Sequence, residues 1–172
     1  NRFEFVVFVW ASQYAGFRYT PISTRLGPSE IAYIVADCEA EALVVSDQTV
    51  QSVDSTTSEG SAPTLLNIDR LDLFRGDLEA APRYERAEGV PMLYSSGTTG
   101  RPKGVWNSAP PEPIEEMPQR VAFIGRLYQI DYETVYLSPA PLYHSAPLSF
   151  LLWLGRLGGA TVIMEKFDAA ES

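Results

Sequence analysis

The segment YSSGTTGRPKGV, residues 94–105, combines small polar side chains with three glycines and two positively charged residues. Glycine adopts backbone conformations that other residues avoid, so the main chain can approach a ligand closely. Successive peptide N–H groups in such a loop form a concave site for an anion. Serine and threonine hydroxyls at positions 95–99 add hydrogen-bond donors, while Arg101 and Lys103 add positive charge. These features predict a loop that binds phosphate.

Two common phosphate-binding motifs do not fit this segment. A Walker A loop has the pattern G-x-x-x-x-G-K-[ST] and opens a helix. Counted from Gly97, Pro102 stands where the second glycine should be, and no serine or threonine follows Lys103. Proline at that point also opposes the helix of a Walker A loop. The G-x-G-x-x-G pattern of dinucleotide-binding folds fails as well, because the glycines fall at 97, 100 and 104.

The loop resembles the signature phosphate loop of the adenylate-forming superfamily, [ST]-[SG]-G-[ST]-T-G-x-P-K-G, and residues 95–104 match it throughout. This superfamily contains acyl-CoA synthetases, aryl-CoA ligases, luciferases and the adenylation domains of peptide synthetases. A Ser/Gly linker would not explain the Pro-Lys-Gly that closes the match. Three further stretches resemble the superfamily, namely residues 11–47, 135–148 and 157–172. Within the superfamily, the chain most resembles fatty-acyl-CoA synthetases.

The resemblance implies that the parent protein joins a carboxylate to ATP, releases pyrophosphate, and passes the acyl group from acyl-AMP to CoA. The substrate carboxylate is the nucleophile, so no Ser-His-Asp triad is required, and Mg²⁺ neutralises much of the phosphate charge. The residues that the resemblance assigns to the phosphates of ATP are Ser95, Ser96, Gly97, Thr98, Thr99, Gly100 and Lys103.

His144 is the only histidine of the chain and directly follows Tyr143. Taken alone, it reads as a helix-capping or partly buried loop residue. The resemblance instead implies that Tyr143 and His144 border the acyl-substrate pocket, without a role in acid–base chemistry. No complete metal site is expected in this chain: the Mg²⁺-binding glutamate is expected beyond it, and Thr98 is the one candidate ligand.

Several parts of the superfamily are missing from the sequence, including the aromatic-Gly-x-Thr-Glu metal motif, the ribose-binding aspartate, the hinge and the C-terminal domain with its lysine. We therefore expect residues 1–172 to be a partial AMP-binding N-terminal domain, with the phosphate loop at 94–105 and the C-terminal half of the family's chain absent. Without a complete catalytic set, the fragment alone should be inactive. Surface exposed by the truncation should favour self-association.

Composition limits the partners of the chain. A net charge of −9 and a pI near 4.6 argue against a general nucleic-acid-binding protein, which needs a basic face. The apolar start, residues 3–11, is too short to span a bilayer, which takes about 20 residues. The single cysteine, Cys38, cannot form an internal disulfide, which fits a reducing compartment. We expect a cytoplasmic protein in which Cys38 is a small buried residue of a helix.

Short apolar runs alternate with helical patterns, which predicts an α/β fold with a largely parallel sheet and flanking helices. Such a fold would form part of the large N-terminal domain of an adenylate-forming enzyme. The first segment is expected to form a helix that buries the stripe Phe3, Val6, Val7, Trp10, Ala11 and Tyr14, with a strand as the alternative because of its β-branched residues. Further helices are expected from residue 28, over 114–129 and over 148–157. Strands are expected over 42–46, 65–68, 90–94, 134–137 and 160–164.

Three functions remain open at this point. The chain belongs to an AMP-forming acyl-CoA synthetase, to an acyl-AMP ligase that loads a carrier protein, or to a non-catalytic nucleotide-binding module. The missing C-terminal half would discriminate the first two. The mass of the native protein would show whether residues 1–172 are the whole gene product, which is the case that would favour the third function. In all three, the phosphate loop serves a small molecule.

Overall fold

Helices and strands alternate along the chain, which confirms the α/β fold class. The computed structural model describes residues 1–53, 62–70, 88–95, 101–106 and 113–170. In chain order the elements are α1 (Phe3–Tyr14), β1 (Arg18–Tyr19), α2 (Pro28–Asp37), β2 (Ala42–Val45), a 3₁₀ turn (Val50–Ser52), β3 (Thr64–Asn67), β4 (Val90–Ser95), β5 (Lys103–Trp106), α3 (Gln119–Tyr128), β6 (Val135–Ser138), α4 (Ser145–Leu157) and β7 (Ala160–Ile163).

Strand pairing is mostly parallel, as the sequence predicts. Parallel pairs form between β1 and β4, between β2 and β3, and between β6 and β7. Among the described strands, only the pair of β4 and β5 is antiparallel. The chain divides into one unit of residues 1–21, 85–91 and 107–172 and another of residues 22–84 and 92–106. Strand β4 gives its first two residues to the first unit and the remainder to the second.

The core of the first unit is built on α4. Leu148, Leu151 and Leu154 fall on one face of this helix and are almost completely buried. The helix contacts α3, β6 and β7, so its apolar face is covered by both helix and sheet. It ends at Gly158, whose φ of +84° is the left-handed conformation that commonly ends helices.

The second unit has a smaller core around α2. Ile31 of this helix packs with Val45 of β2 and with Val53. The helix begins at Pro28, and the backbone N–H of Gly27 donates to the Glu30 carboxylate at 2.9 Å. These residues fit the predicted helix start, in which proline at the first position loses no helical hydrogen bond. Cys38 directly follows α2 and is half-buried, so the expectation of a fully buried cysteine inside the helix is wrong.

Helix α1 forms where the sequence predicts it but buries a different face. Val9 and Gln13 are its buried residues, whereas Phe3 is 74% and Tyr14 is 58% exposed. The helix is apolar all round, so periodicity alone could not identify the buried face. In the part of the chain that the structure describes, no helix is long and apolar enough to cross a membrane.

Two other predictions need correction. Helix α3 begins at Gln119 rather than near residue 114, because Pro118 before it adopts an extended conformation. Strand β5 was not predicted at all, since it is short, contains Gly104 and directly follows Pro102. Its strand conformation depends on pairing with β4.

The close contact between α4 and α1 gives a testable stability prediction. A Cβ at Gly155 would lie 2.6 Å from Cζ2 of the Trp10 indole. We expect Gly155→Ala to lower the free energy of unfolding by about 1–3 kcal/mol, because overpacking outweighs the better helix propensity of alanine. Urea denaturation of this chain measures the change.

Gly125→Ala in α3 is the matched control, because there the new Cβ would meet two methyl carbons of Leu157 at 3.0 Å. These atoms are the flexible end of a side chain and can move aside. Gly125→Ala should therefore be nearly neutral. Equal losses in the two variants would contradict the assignment of the contact between Gly155 and Trp10 as rigid.

Candidate phosphate-binding hairpin

The predicted phosphate loop links the two strands of an antiparallel hairpin. In the register of β4 and β5, Ser95 is paired with Lys103 and Tyr94 with Gly104. Residues 96–102 run between Ser95 and Lys103, so these two predicted site residues stand opposite each other at the base of the loop. Both are exposed, and their side chains are accessible to a ligand.

Five of the predicted phosphate-binding residues lie outside the described residues, namely Ser96, Gly97, Thr98, Thr99 and Gly100. Their assignment to ATP therefore stays a prediction. What the structure adds is the frame around them, because both ends of the loop belong to paired strands.

Gly104 has a packing role in this frame. A Cβ at this position would contact the terminal methyl of Met92 and lie 3.0 Å from Cζ of Tyr94. The missing side chain thus lets the Tyr94 ring lie across β5. In this packing, a side chain at position 104 would displace the ends of the Met92 and Tyr94 side chains.

Tyr94 connects the hairpin to α2, and this contact was not predicted from the sequence. Its hydroxyl donates to Oδ2 of Asp37 at 2.6 Å, and the Tyr33 hydroxyl donates to Oδ1 of Asp37 at 3.4 Å. Burial contributes most to raising the pKa of Tyr94 above its ordinary value. The hydrogen bond to Asp37 and the negative charge of that carboxylate raise it further. The phenol therefore stays a hydrogen-bond donor at neutral pH.

Arg101 makes a second contact with the same helix. Its guanidinium carbon lies 5.6 Å from the centre of the Tyr33 ring, within the range of a cation–π interaction. The sequence suggested that Arg101 supplies positive charge for phosphate. The structure places it over an aromatic ring, while Lys103 stands at the base of the loop.

Tyr143 and His144 lie in the first unit, in the connection between β6 and α4. Their rings are 4.4 Å apart between centroids. His144 occupies the N-cap position of α4 and its carbonyl accepts the Leu148 N–H at 3.2 Å, but its imidazole does not cap the helix amides. The His144 side chain is exposed and Tyr143 is half-buried. Only the backbone acts in capping, so the imidazole is available for other contacts.

The side chain of Asn1 holds the turn that leads to His144. Its amide nitrogen donates to the carbonyls of Ala140 and Met164, each at 2.9 Å, and its oxygen accepts the Leu142 N–H at 2.8 Å. This turn follows the carboxyl end of β6. Ligands of open α/β sheets commonly bind at this edge.

The described residues include no group of three or more His, Cys, Asp and Glu side chains that could hold a metal ion. The predicted ligand Thr98 lies outside them. Asp37, the carboxylate bonded to the hairpin, has each of its oxygens engaged by a tyrosine hydroxyl. It is therefore poorly suited to act as a metal ligand.

Comparison with known proteins gives a consistent result. A family model described as AMP-binding enzyme matches residues 1–172. The chain is 27% identical to 4-hydroxybutyrate–CoA ligase 2 of Metallosphaera sedula, over 98% of this chain and 33% of that protein. It is 24% identical to the long-chain-fatty-acid–CoA ligase FadD13 of Mycobacterium tuberculosis, over 99% of this chain and 34% of that protein.

Among solved structures, the inhibitor-bound N-terminal domain of FACL13 from Mycobacterium tuberculosis has the same fold. The TM-score is 0.80 at 23% identity, over 99% of this chain and 44% of that one. The chain spans about a third of the length of the curated relatives it matches.

The pKa of Tyr94 gives a direct test of its contact with Asp37. We expect Asp37→Asn to lower the pKa of Tyr94, because the variant removes the negative charge and weakens the acceptor. NMR of ¹³Cζ-labelled tyrosine against pH measures this value, with Tyr94→Phe used to assign the signal. Glu39→Gln is the matched control, since it removes an exposed carboxylate two residues away.

The sign of the pH dependence follows from the raised pKa. The unfolded phenol ionises near its ordinary value of 10.0. The contribution of Tyr94 to the free energy of unfolding is therefore complete below about pH 10 and is lost as the pH rises toward the folded value. A Tyr94 pKa that is identical in the wild type and in Asp37→Asn would contradict the contact.

Proposed function

Because the chain belongs to the family of AMP-binding enzymes, we propose that its parent polypeptide is a ligase that activates a carboxylic acid with ATP and joins the acyl group to CoA. The main support is the hairpin, which carries the superfamily's loop sequence between the paired residues Ser95 and Lys103. Two relatives are named as CoA ligases. In this proposal residues 1–172 are part of the N-terminal domain, with the phosphate loop at 94–105.

The proposed reaction has two steps. A carboxylate oxygen of the substrate attacks the α-phosphorus of ATP, the bond from that phosphorus to the bridging oxygen breaks, and pyrophosphate leaves. The CoA thiol then gives its proton to solvent and its sulfur attacks the acyl carbon of acyl-AMP, the bond from that carbon to the phosphate oxygen breaks, and AMP leaves. Neither step needs a nucleophile from the protein, so its contribution is orientation and stabilisation of phosphate charge.

In the first step, the phosphates are assigned to the hairpin. The loop amides and the hydroxyls of residues 95–99 would hold the β- and γ-phosphates. Lys103 would add a positive charge at the base of the loop, where it is exposed and opposite Ser95. When bound with ATP, Mg²⁺ would neutralise part of the phosphate charge. Thr98 is the proposed ligand from this chain, with the remaining ligands supplied by other parts of the parent.

Tyr143 and His144 are proposed to line the acyl-substrate pocket. The exposed imidazole and the neighbouring Tyr143 ring, which is tilted by 52° to it, form a partly apolar surface after the carboxyl end of β6. Such a surface can pack against an acyl group without transferring a proton. We propose a fatty acid as the substrate, in line with the relative named as a long-chain-fatty-acid–CoA ligase.

The chain by itself is proposed to be inactive and to self-associate. In the register of β6 and β7, Leu137 is paired with Val162, and both side chains are exposed. Parallel sheets are normally covered on both faces, so this apolar face is suited to a covering element. We also propose a cytoplasmic location for the parent, because this chain has a single cysteine and cannot form a disulfide within itself.

ATP–pyrophosphate exchange by the parent polypeptide tests the proposal. We expect carboxylate-dependent exchange, and we expect Lys103→Met to raise the KM for ATP roughly tenfold or more, because a hydrogen bond to a charged group contributes about 1.5–3 kcal/mol. Adding Thr98→Ala should weaken ATP further. Lys166→Met is the matched control, because Lys166 is exposed and is the only other lysine of this chain.

Three outcomes separate the open functions. Exchange followed by thioester formation with CoA supports the ligase. Exchange without transfer to CoA, but with transfer to a carrier protein, would favour an acyl-AMP ligase. Bound ATP without exchange for any carboxylate would contradict an enzyme and leave the non-catalytic nucleotide-binding module.

A further inference from the structure

Asp37 has an unfavourable place in α2 if the helix is considered alone. It is the last residue of the helix, where the partial negative charge of the helix dipole disfavours a carboxylate. The last turn of the described helix holds no basic residue that would compensate. Helix stability therefore does not account for an aspartate at this position.

The contacts of Asp37 give another explanation. Its shortest hydrogen bond runs to Tyr94, 57 residues further along the chain, at 2.6 Å. This distance is typical of a hydroxyl that donates to a charged carboxylate, which is among the stronger hydrogen bonds. Tyr94 immediately precedes Ser95, the first of the predicted phosphate-binding residues, so the bond fixes the β4 arm of the hairpin.

The other arm of the hairpin is held by the same turn of α2. Arg101, two residues before Lys103, lies over the Tyr33 ring. Tyr33 and Asp37 are four residues apart on the helix and therefore share a face. The two arms of the loop thus contact neighbouring positions on one helix. Gly104 leaves the space for the Tyr94 ring that this arrangement needs.

We propose that Asp37 is a positioning residue for the phosphate loop: together with Tyr33 it holds both arms of the hairpin, through Tyr94 and Arg101, in the geometry that binds nucleotide phosphate. This inference rests on the proposed function of the loop. A loop that binds through backbone amides loses conformational entropy on binding, and fixing its two ends in advance reduces that loss. Asp37 itself need not contact the nucleotide.

The test uses the parent polypeptide and the variants Asp37→Asn and Tyr94→Phe. We expect each to raise the KM for ATP about five- to tenfold, as for the loss of one hydrogen bond of about 1 kcal/mol or slightly more. The KM for the carboxylate should change little, because the contact supports the hairpin that carries the phosphate loop. The double variant should be no worse than either single variant, since both remove the same contact.

Hydrogen–deuterium exchange supplies a readout that does not need activity. Amides of residues 101–106 should exchange several-fold faster in Asp37→Asn than in the wild type. Glu39→Gln, which removes a neighbouring exposed carboxylate, should change neither this rate nor the KM for ATP. A general loss of stability would instead accelerate exchange throughout α2 and β2 and raise both KM values.

The outcomes separate the inference from the proposed function. If the wild-type parent neither binds nor uses ATP, the proposed function fails, and with it the positioning of a nucleotide loop. If the wild type uses ATP but Asp37→Asn leaves hairpin exchange and the KM for ATP unchanged, Asp37 has no positioning role and only this inference fails. Faster hairpin exchange with an unchanged KM for ATP would also overturn it.

Discussion

The antiparallel pairing of β4 and β5 is the constraint on which the candidate site depends. It sets Ser95 opposite Lys103 and thereby fixes where the loop begins and ends. A slip of one residue would turn every side chain of β5 to the other face of the hairpin and move the Lys103 charge with it. In this register the side chains of Tyr94 and Met92 occupy the space left by the missing side chain of Gly104. A two-stranded hairpin is marginal by itself. The contact of Tyr94 with α2 therefore matters for the geometry of the loop.

Charge poses a second constraint on the proposed function, because a chain with a net charge of −9 would have to attract the polyanion ATP. The long-range field of the chain opposes this, so capture must rely on groups that act at short range. Loop amides and one exposed lysine are groups of this kind. Asp37 would be unfavourable beside a phosphate, but its carboxylate accepts hydrogen bonds from Tyr33 and Tyr94. The two hydroxyl groups partly neutralise the negative charge of Asp37 and hold the carboxylate between α2 and the hairpin.

The sequence was sufficient to predict helices and strands where several local signals agree. The start of α2, the apolar strands β2 and β7, and the helix α4 lie within a few residues of where turn chemistry and periodicity place them. Prediction from the sequence failed where tertiary contacts determine the local structure or the buried face. The buried face of α1 could not be read from a helix that is apolar all round. Strand β5 has no strand pattern of its own and exists through its pairing with β4. Residue types predict the phosphate loop, which stays a prediction, whereas the partner of Tyr94 lies 57 residues away and left no local signal.

Affinity labelling of lysine tests the central claim that this hairpin binds the phosphates of ATP. An adenosine diphosphate that carries a pyridoxal aldehyde in place of the γ-phosphate forms an imine with a nearby lysine, and borohydride fixes it for peptide mapping. This chain has two lysines, Lys103 at the base of the loop and Lys166 after β7. In the parent polypeptide, the account predicts labelling of Lys103 in excess over Lys166, and loss of that labelling when ATP is present. Labelling of Lys103 that does not exceed that of Lys166, or that ATP does not prevent, would contradict it.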